Sequence, residues 1–286
     1  MDAVPALPAH AGALRGASVA ITFKQQPRTV IRPELPAAYL APLDERIALL
    51  HQIGVDAVIP IDFDDSVRLL TARLFTSLLR RHLGMSQLVL GPQARIGHDR
   101  IGGRKALGEL AREGRFDLLF VEGEYVDGAM VSSSGVREAL AAGRIAAAGA
   151  LLGRPYALAG AVVSGDGRGR RLGFPTANLS PPGDLALPGD GVYAAWAYTP
   201  AGRHAAAVSI GVRPTFGDGG RAIEAYLLDF EGDLYGQSLR LEFMDRLRDQ
   251  QAFAGADELT RQMHADVAAA RIALSLPVEA GTEAAT

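Results

Sequence analysis

Residues 156–163 read YALAGAVV, and runs of the same kind return as GVYAAWAY (191–198), HAAAVSIG (204–211), AIEAYLLDF (222–230) and LRLEF (239–243). Each has strand length, and clusters of Gly, Pro and Asp separate them, so this half of the chain predicts an antiparallel barrel or sandwich. A closing helix is expected from the N-cap candidate Asp257, because Leu259, Met263, Val267, Ala270 and Leu274 recur three or four residues apart.

Upstream of Gly153 the rhythm differs. Strand-length apolar runs at 18–23 (SVAITF), 55–61 (VDAVIPI), 87–91 (QLVLG) and 116–121 (FDLLFV) alternate with helical patterns at 42–53, 66–83 and 103–112. In the second of these, Val67, Leu70, Leu74, Leu78 and Leu79 form the stripe expected of a helix on a sheet. Strand and helix in regular alternation mean a parallel α/β sheet, an architecture that often binds nucleotides beyond its carboxyl strand ends. The expected organisation is an α/β domain over 1–152, a barrel with its helix over 153–275, and a disordered tail over 276–286. A chain of 286 residues suits two domains, since single cores stop growing near ~250–300 residues.

Composition excludes several classes. With 48% hydrophobic and 21% charged residues the chain can bury a core, which rules out general disorder. A net charge of −3 lacks the basic excess that nucleic-acid binding rests on. The absence of cysteine excludes disulfides, thiol catalysis and Cys-ligated metal centres, and the six histidines form no short-spaced metal pair. The most apolar stretch, 139–152, carries Arg144 and falls short of the ~18 uninterrupted apolar residues of a membrane span. The first residues lack the basic and apolar regions of a signal peptide, so a cytoplasmic location is expected.

The most informative stretch for chemistry is GDGRGRRLGFPTAN, residues 165–178. Gly165, Gly167 and Gly169 let backbone N–H groups approach an anion, and Arg168, Arg170 and Arg171 add charge-assisted donors for phosphate oxygens. It matches neither the P-loop nor the Rossmann fingerprint, and a plain glycine-rich hairpin loop is the other reading. Thr176 and Asn178 are two apart, so an extended backbone turns both to one side, where a hydroxyl and an amide oxygen suit Mg²⁺; a Pro-Thr turn is the alternative. Glu224 shares a face with Tyr226, Leu228 and Phe230 by period-two alternation. Burial there would raise its pKa above the usual ~4.3 and improve it as a proton acceptor, whereas a solvated rim position would leave it inert. Together these features describe transfer of a phosphoryl group to a hydroxyl.

Residues 153–271 resemble the riboflavin kinase module of the bacterial bifunctional riboflavin kinase/FAD synthetase family. The matching blocks are GRPY (153–156), the glycine loop, GFPTAN (173–178), GVYA (191–194), IGVRPTF (210–216), IEAYLLDF (223–230), DLYG (233–236) and LRDQQAF (247–253). The resemblance implies a six-stranded Greek-key barrel that moves the γ-phosphate of ATP to the 5′-hydroxyl of riboflavin, giving FMN. It further implies that Thr176 and Asn178 bind Mg²⁺ and phosphate and that Glu224 is the catalytic base. Gly165, Gly167, Gly169, Arg170, Phe174, Leu234 and Tyr235 would hold ATP, while Arg248, in a flexible segment, and Arg213 would lie near the flavin.

The N-terminal half is similar to the same family's FMN adenylyltransferase domain in ITFKQQPR (21–28) and VSSSGVREAL (131–140). Two departures lead to the expectation of an incomplete nucleotidyltransferase-like domain without adenylyl transfer. The family's opening strand and helix with FDGxHxGH need about 25 residues before Ser18, where seventeen stand. Where the family has G-x-D-F-x-F-G, residues 91–97 read GPQARIG. An unpaired sheet edge would then permit self-association. Retention of both activities and a non-catalytic flavin-binding module are the alternative functions. An oligonucleotide-binding barrel fits worse, because Trp196 is the only tryptophan available for base stacking.

Overall fold

The computed structural model describes residues 16–34, 37–98, 102–212 and 221–277. Their contacts form two compact units, one from the described residues of Met1–Ala37 and Leu43–Val131, the other from those of Ala38–Pro42 and Ser132–Thr286.

In the first unit β1 (Val19–Phe23) pairs in parallel with β2 (Ala57–Ile61), and β3 (Gln87–Leu90) with β4 (Asp117–Phe120). A tight hairpin joins β5 (Tyr125–Val126) to β6 (Ala129–Met130) through Asp127 and Gly128, whose φ of 49° and 77° are those of a primed turn. The helices are α1 (Pro27–Ile31), α2 (Leu43–Gln52), α3 (Asp65–Arg68), α4 (Ala72–Leu83) and α5 (Arg104–Gly114). The start of the first ladder is pinned by Ser18, whose N–H and hydroxyl both donate to Asp56 Oδ2 at 2.7 and 2.8 Å. Those bonds, the backbone N–H first, hold the Asp56 carboxyl below its usual range.

The single helix expected over 66–83 is two helices. Thr71 takes an extended conformation, and its hydroxyl accepts from the Leu74 N–H at 3.2 Å, so a fresh N-cap forms where the periodicity ran on. The break splits the expected leucine stripe and leaves Leu74 and Leu78 at 49% and 36% exposure.

The second unit begins before the barrel. Ser132 caps α6 (Ser133–Ala141), accepting from the Gly135 N–H at 3.1 Å, and α7 (Ile145–Leu152) follows. Val136, Ala139, Leu140, Ile145 and Ala148 are buried in one cluster with the barrel interior. The contact boundary therefore lies at Ser132, earlier than the change of rhythm at Gly153, because these helices spend their apolar face on the barrel. Tyr39 joins the same unit, its N–H donating to the Asp184 carbonyl and its own carbonyl accepting from Ala186 N–H, both at 2.8 Å.

The barrel is closed and six-stranded, from β7 (Tyr156–Val163), β8 (Ala177–Ser180), β9 (Gly191–Thr199), β10 (Gly202–Val212), β11 (Arg221–Leu227) and β12 (Ser238–Arg248). The order around it is β10-β11-β8-β7-β12-β9, antiparallel throughout. A short helix, α8 (Arg168–Arg171), sits between β7 and β8. Inward positions carry Tyr193, Val208, Ile223, Ala225, Leu239 and Phe243. Helix α9 (Ala256–Ala273) covers part of the outer face, where Ala270 and Leu274 meet Ala194, Ala205 and Leu228. Its N-cap is Gly255, not Asp257; Asp257 lies in the first turn, where a carboxylate favours the helix dipole. The tail proposed over 276–286 lies outside the described residues beyond Pro277.

The interior is organised by Phe243, 1% exposed, whose ring stacks on Tyr156 at 6.4 Å and meets Tyr193 edge-on at 5.7 Å. Phe243→Ala should destabilise the barrel by about 3–5 kcal/mol, measured as a lower urea midpoint. An unchanged midpoint would contradict the packing described.

Candidate active site

The site follows from strand register. Val192 on β9 faces Ser209 on β10, Ser209 faces Glu224 on β11, and Glu224 faces Asn178 on β8. Directly paired residues share a face, so these four stand in one row on the outside of the barrel. All four line a single cavity of about 650 Å³. Thr176, immediately before β8, lines it too, so the Thr176 hydroxyl and Asn178 amide open on the same space as expected. Glu224 is half-buried, and Asn178 is 7% exposed.

The glycine loop forms one wall, though not as an open loop. After Gly167, which has φ 64°, the chain turns through α8, and the Phe174 N–H returns to the Gly169 carbonyl at 2.8 Å. Gly165 lies directly against the Asn178 side-chain amide, and Gly169 against the Phe174 carbonyl, so a Cβ at either position would collide. Phe174 meets Tyr226 edge-on at 5.2 Å and His264 at 4.9 Å. Burial pushes the Tyr226 phenol up, with Asp229 adding to the effect, so it remains an O–H donor at neutral pH.

The opposite wall comes from the segment after β12 and from α9: Phe253, Leu259, Met263 and Val267 are apolar, with Arg248 and Asp266 between them. Arg248 Nε and Nη2 donate to Asp266 Oδ1 and Oδ2, both at 2.7 Å. Gln250 Nε2 donates to Ser209 Oγ at 2.9 Å and to the Ile210 carbonyl at 3.0 Å, so the segment read as flexible is tied to both helix and barrel.

Seven residues singled out from sequence thus meet in one cavity: Gly167, Gly169, Phe174, Thr176, Asn178, Glu224 and Arg248. Gly165 supports it from behind. Leu234 is instead buried in the barrel core, and Tyr235 is an exposed ring with the Arg170 guanidinium 5.9 Å from its centroid. Arg213 lies outside the described residues. Ser209, Gln250 and Asp266 escaped the sequence reading. A signal existed for Asp266, since it lies on the apolar stripe of its helix three residues after Met263 and four before Ala270.

Among the described residues the lining of the cavity is acidic. Its charged described lining is Asp166, Asp190, Glu224 and Asp266 against Arg248 alone. Asp190 is bridged by Arg221 at 2.6 Å and Asp266 by Arg248. Such a lining repels a bare polyphosphate and accepts one carrying a divalent cation. The neutral oxygens of Thr176 and Asn178 fit Mg²⁺, which needs few protein ligands when phosphates and water supply the rest.

The chain matches the riboflavin kinase family model over residues 152–274 and the FAD synthetase family model over 6–135. The second match spans the region expected to be incomplete, and it gives no support to the expectation that adenylyl transfer is lost. The bifunctional riboflavin kinase/FMN adenylyltransferase of Pseudomonas fluorescens is 38% identical over 262 residues, covering 91% of this chain and 83% of that protein. The protein of the same description from Escherichia coli K12 is 37% identical over 251 residues, covering 87% and 80%. A crystal structure described as a macrolide-efflux protein from Streptococcus pneumoniae shares the fold, with TM-score 0.84 and 29% identity over 92% of this chain and 86% of that one. No described helix is long and apolar enough to cross a membrane. By these matches over both units, the chain belongs to the bifunctional riboflavin kinase/FMN adenylyltransferase family.

Proposed function

We propose that the second unit is an ATP-dependent riboflavin kinase, transferring the γ-phosphate of ATP to the 5′-hydroxyl of riboflavin to give FMN. The observation that carries this reading is the register of Glu224 against Asn178, which sets a carboxylate beside an oxygen-donor pair in the lining of a cavity with one polar and one apolar wall. The names of the relatives support the substrate. Glu224 takes the proton of the 5′-hydroxyl as its oxygen attacks the γ-phosphorus, and the bond to the β–γ bridging oxygen breaks to release ADP. Thr176 and Asn178 would hold Mg²⁺ and the phosphates. The bound ion would offset the charge of the transferring group.

Gly167 and Gly169 bring backbone close to the phosphates, Gly165 seats Asn178, and Phe174 walls the site. Arg170 and Tyr235, which approach each other outside the lining, mark where the adenosine end of ATP would lie, and Leu234 anchors Tyr235 from the core. Arg248, with Phe253 and Met263, takes the isoalloxazine ring, and Arg213 is proposed as a further flavin contact. A cytoplasmic location accords with these substrates.

A second reading keeps adenylyl transfer, and the FAD synthetase match over 6–135 favours it. Against it stands the GPQARIG segment at 91–97, which differs from the family's G-x-D-F-x-F-G. Incubation with riboflavin, ATP and Mg²⁺, followed by chromatography, separates the readings: FMN alone supports the kinase, FAD appearing after FMN supports both activities, and no conversion supports a flavin-binding module.

Glu224→Gln should lower turnover by about 10²-fold or more while riboflavin binding, followed by flavin fluorescence, stays unchanged. Retained turnover would remove Glu224 from the role of base. Gly165→Ala should displace the Asn178 amide and lower turnover by about 10²-fold with little loss of thermal stability, because a shift near 1 Å at a reacting centre has effects of that size. Wild-type kinetics in this variant would separate Asn178 from the reaction.

A further inference from the structure

Arg248 is the last residue of β12, and a register irregularity between Arg246 and Arg248 precedes it. Bulges re-aim side chains, and here the guanidinium enters the cavity wall, its Cζ 5.8 Å from the Phe253 ring centroid. There it is fully organised. Nε and Nη2 are held by the Asp266 carboxylate, Nη1 donates to the Asp249 carbonyl at 2.8 Å, and Gln262 Nε2 donates to Asp266 Oδ1 at 2.9 Å. The two side chains are only 16% and 10% exposed, so water screens the pair little. Of the five guanidinium N–H donors, these contacts use three.

Resting on the riboflavin kinase reading, we propose that Asp266 is a positioning residue for the flavin, acting through Arg248. An unpaired arginine in this wall would be a mobile cation beside a phosphate-transfer site and would draw phosphates to the wrong end of the cavity. Paired with Asp266, its charge is balanced, its plane is fixed, and it offers a flat face and two spare donors to an uncharged, carbonyl-bearing ring. Gln262 holds the carboxylate in turn. The helix stripe of Leu259, Met263 and Val267 thereby reaches the flavin wall together with the one polar group that orients the ring.

The test compares Asp266→Asn, Asp266→Ala, Asp266→Glu and Arg248→Ala with the wild type in the full chain. Asp266→Asn preserves shape but removes the charge, so KM for riboflavin should rise about tenfold, the effect of one charge-assisted hydrogen bond, with kcat within about threefold. Inorganic pyrophosphate should also become a competitive inhibitor against riboflavin, because the arginine charge is unmasked. Asp266→Glu should recover part of the KM. Arg248→Ala combined with Asp266→Ala should raise KM no more than Arg248→Ala alone.

A lower melting temperature with unchanged riboflavin KM and no pyrophosphate competition would overturn the proposal and leave Asp266 as a clamp between helix and barrel. Additive effects in the double variant would overturn it too. If Asp266→Ala does not fold, the isosteric Asp266→Asn and its pyrophosphate response still decide. Failure of the wild type to form FMN would overturn the kinase reading itself, whereas a wild type that turns over beside an unaffected Asp266→Asn overturns only the role of Asp266.

Discussion

Because side chains alternate along a strand, the register in which β11 meets β8 decides what the barrel can do. Glu224 lies opposite Asn178 and Ala225 opposite Ala177, so Ile223, Ala225 and Leu227 point inward and Glu224 points out. A slip of one residue would drive Glu224 into a cluster that contains Val208, Leu239 and Phe243 and would turn three apolar side chains to the cavity. An unpaired carboxylate in such a core is strongly disfavoured. Core packing therefore enforces the register, and the site's geometry follows from it.

The outer face is divided along the length of α9. Toward its C-terminus the stripe closes down on small residues, Ala194 and Ala205, which let Ala270 and Leu274 approach the sheet. Toward its N-terminus the same stripe, through Leu259, Met263 and Val267, stands over the row of Val192, Ser209, Glu224 and Asn178 and encloses the cavity. One amphipathic pattern thus serves as a seal at one end and as a ligand wall at the other. Arg248 and Gln250 fasten the connecting segment to both partners, which sets the distance between wall and row.

Alternation made the barrel strands and the Thr176, Asn178 and Glu224 set legible in the sequence, since it says which residues share a face. It does not say which face is inside. Leu228 and Phe230, read together with Glu224, pack in two different clusters because β11 ends at Leu227. Leu234, expected near ATP, packs in the barrel core cluster, a placement that motif spacing does not carry. Periodicity runs through the break in 66–83, where the local bond from the Leu74 N–H to the Thr71 hydroxyl outweighs it. The Asp266–Arg248 pair joins residues 18 apart on different elements, so only the folded chain brings it together.

The charge of the cavity explains how two unlike substrates can share it. Of its acidic groups, Asp190 pairs with Arg221 and Asp266 with Arg248, and Asp166 and Glu224 line the same cavity. A triphosphate meets repulsion there unless a divalent ion accompanies it, which makes the metal-bound nucleotide the form that is admitted. Among the described residues the one arginine of the lining, Arg248, is balanced by Asp266, so on the proposed reading apolar contact and ring stacking govern flavin affinity in place of net charge. On the proposed reading the metal-bound nucleotide takes the side of Thr176 and Asn178 and the flavin the side of Arg248, which leaves the reacting hydroxyl beside Glu224.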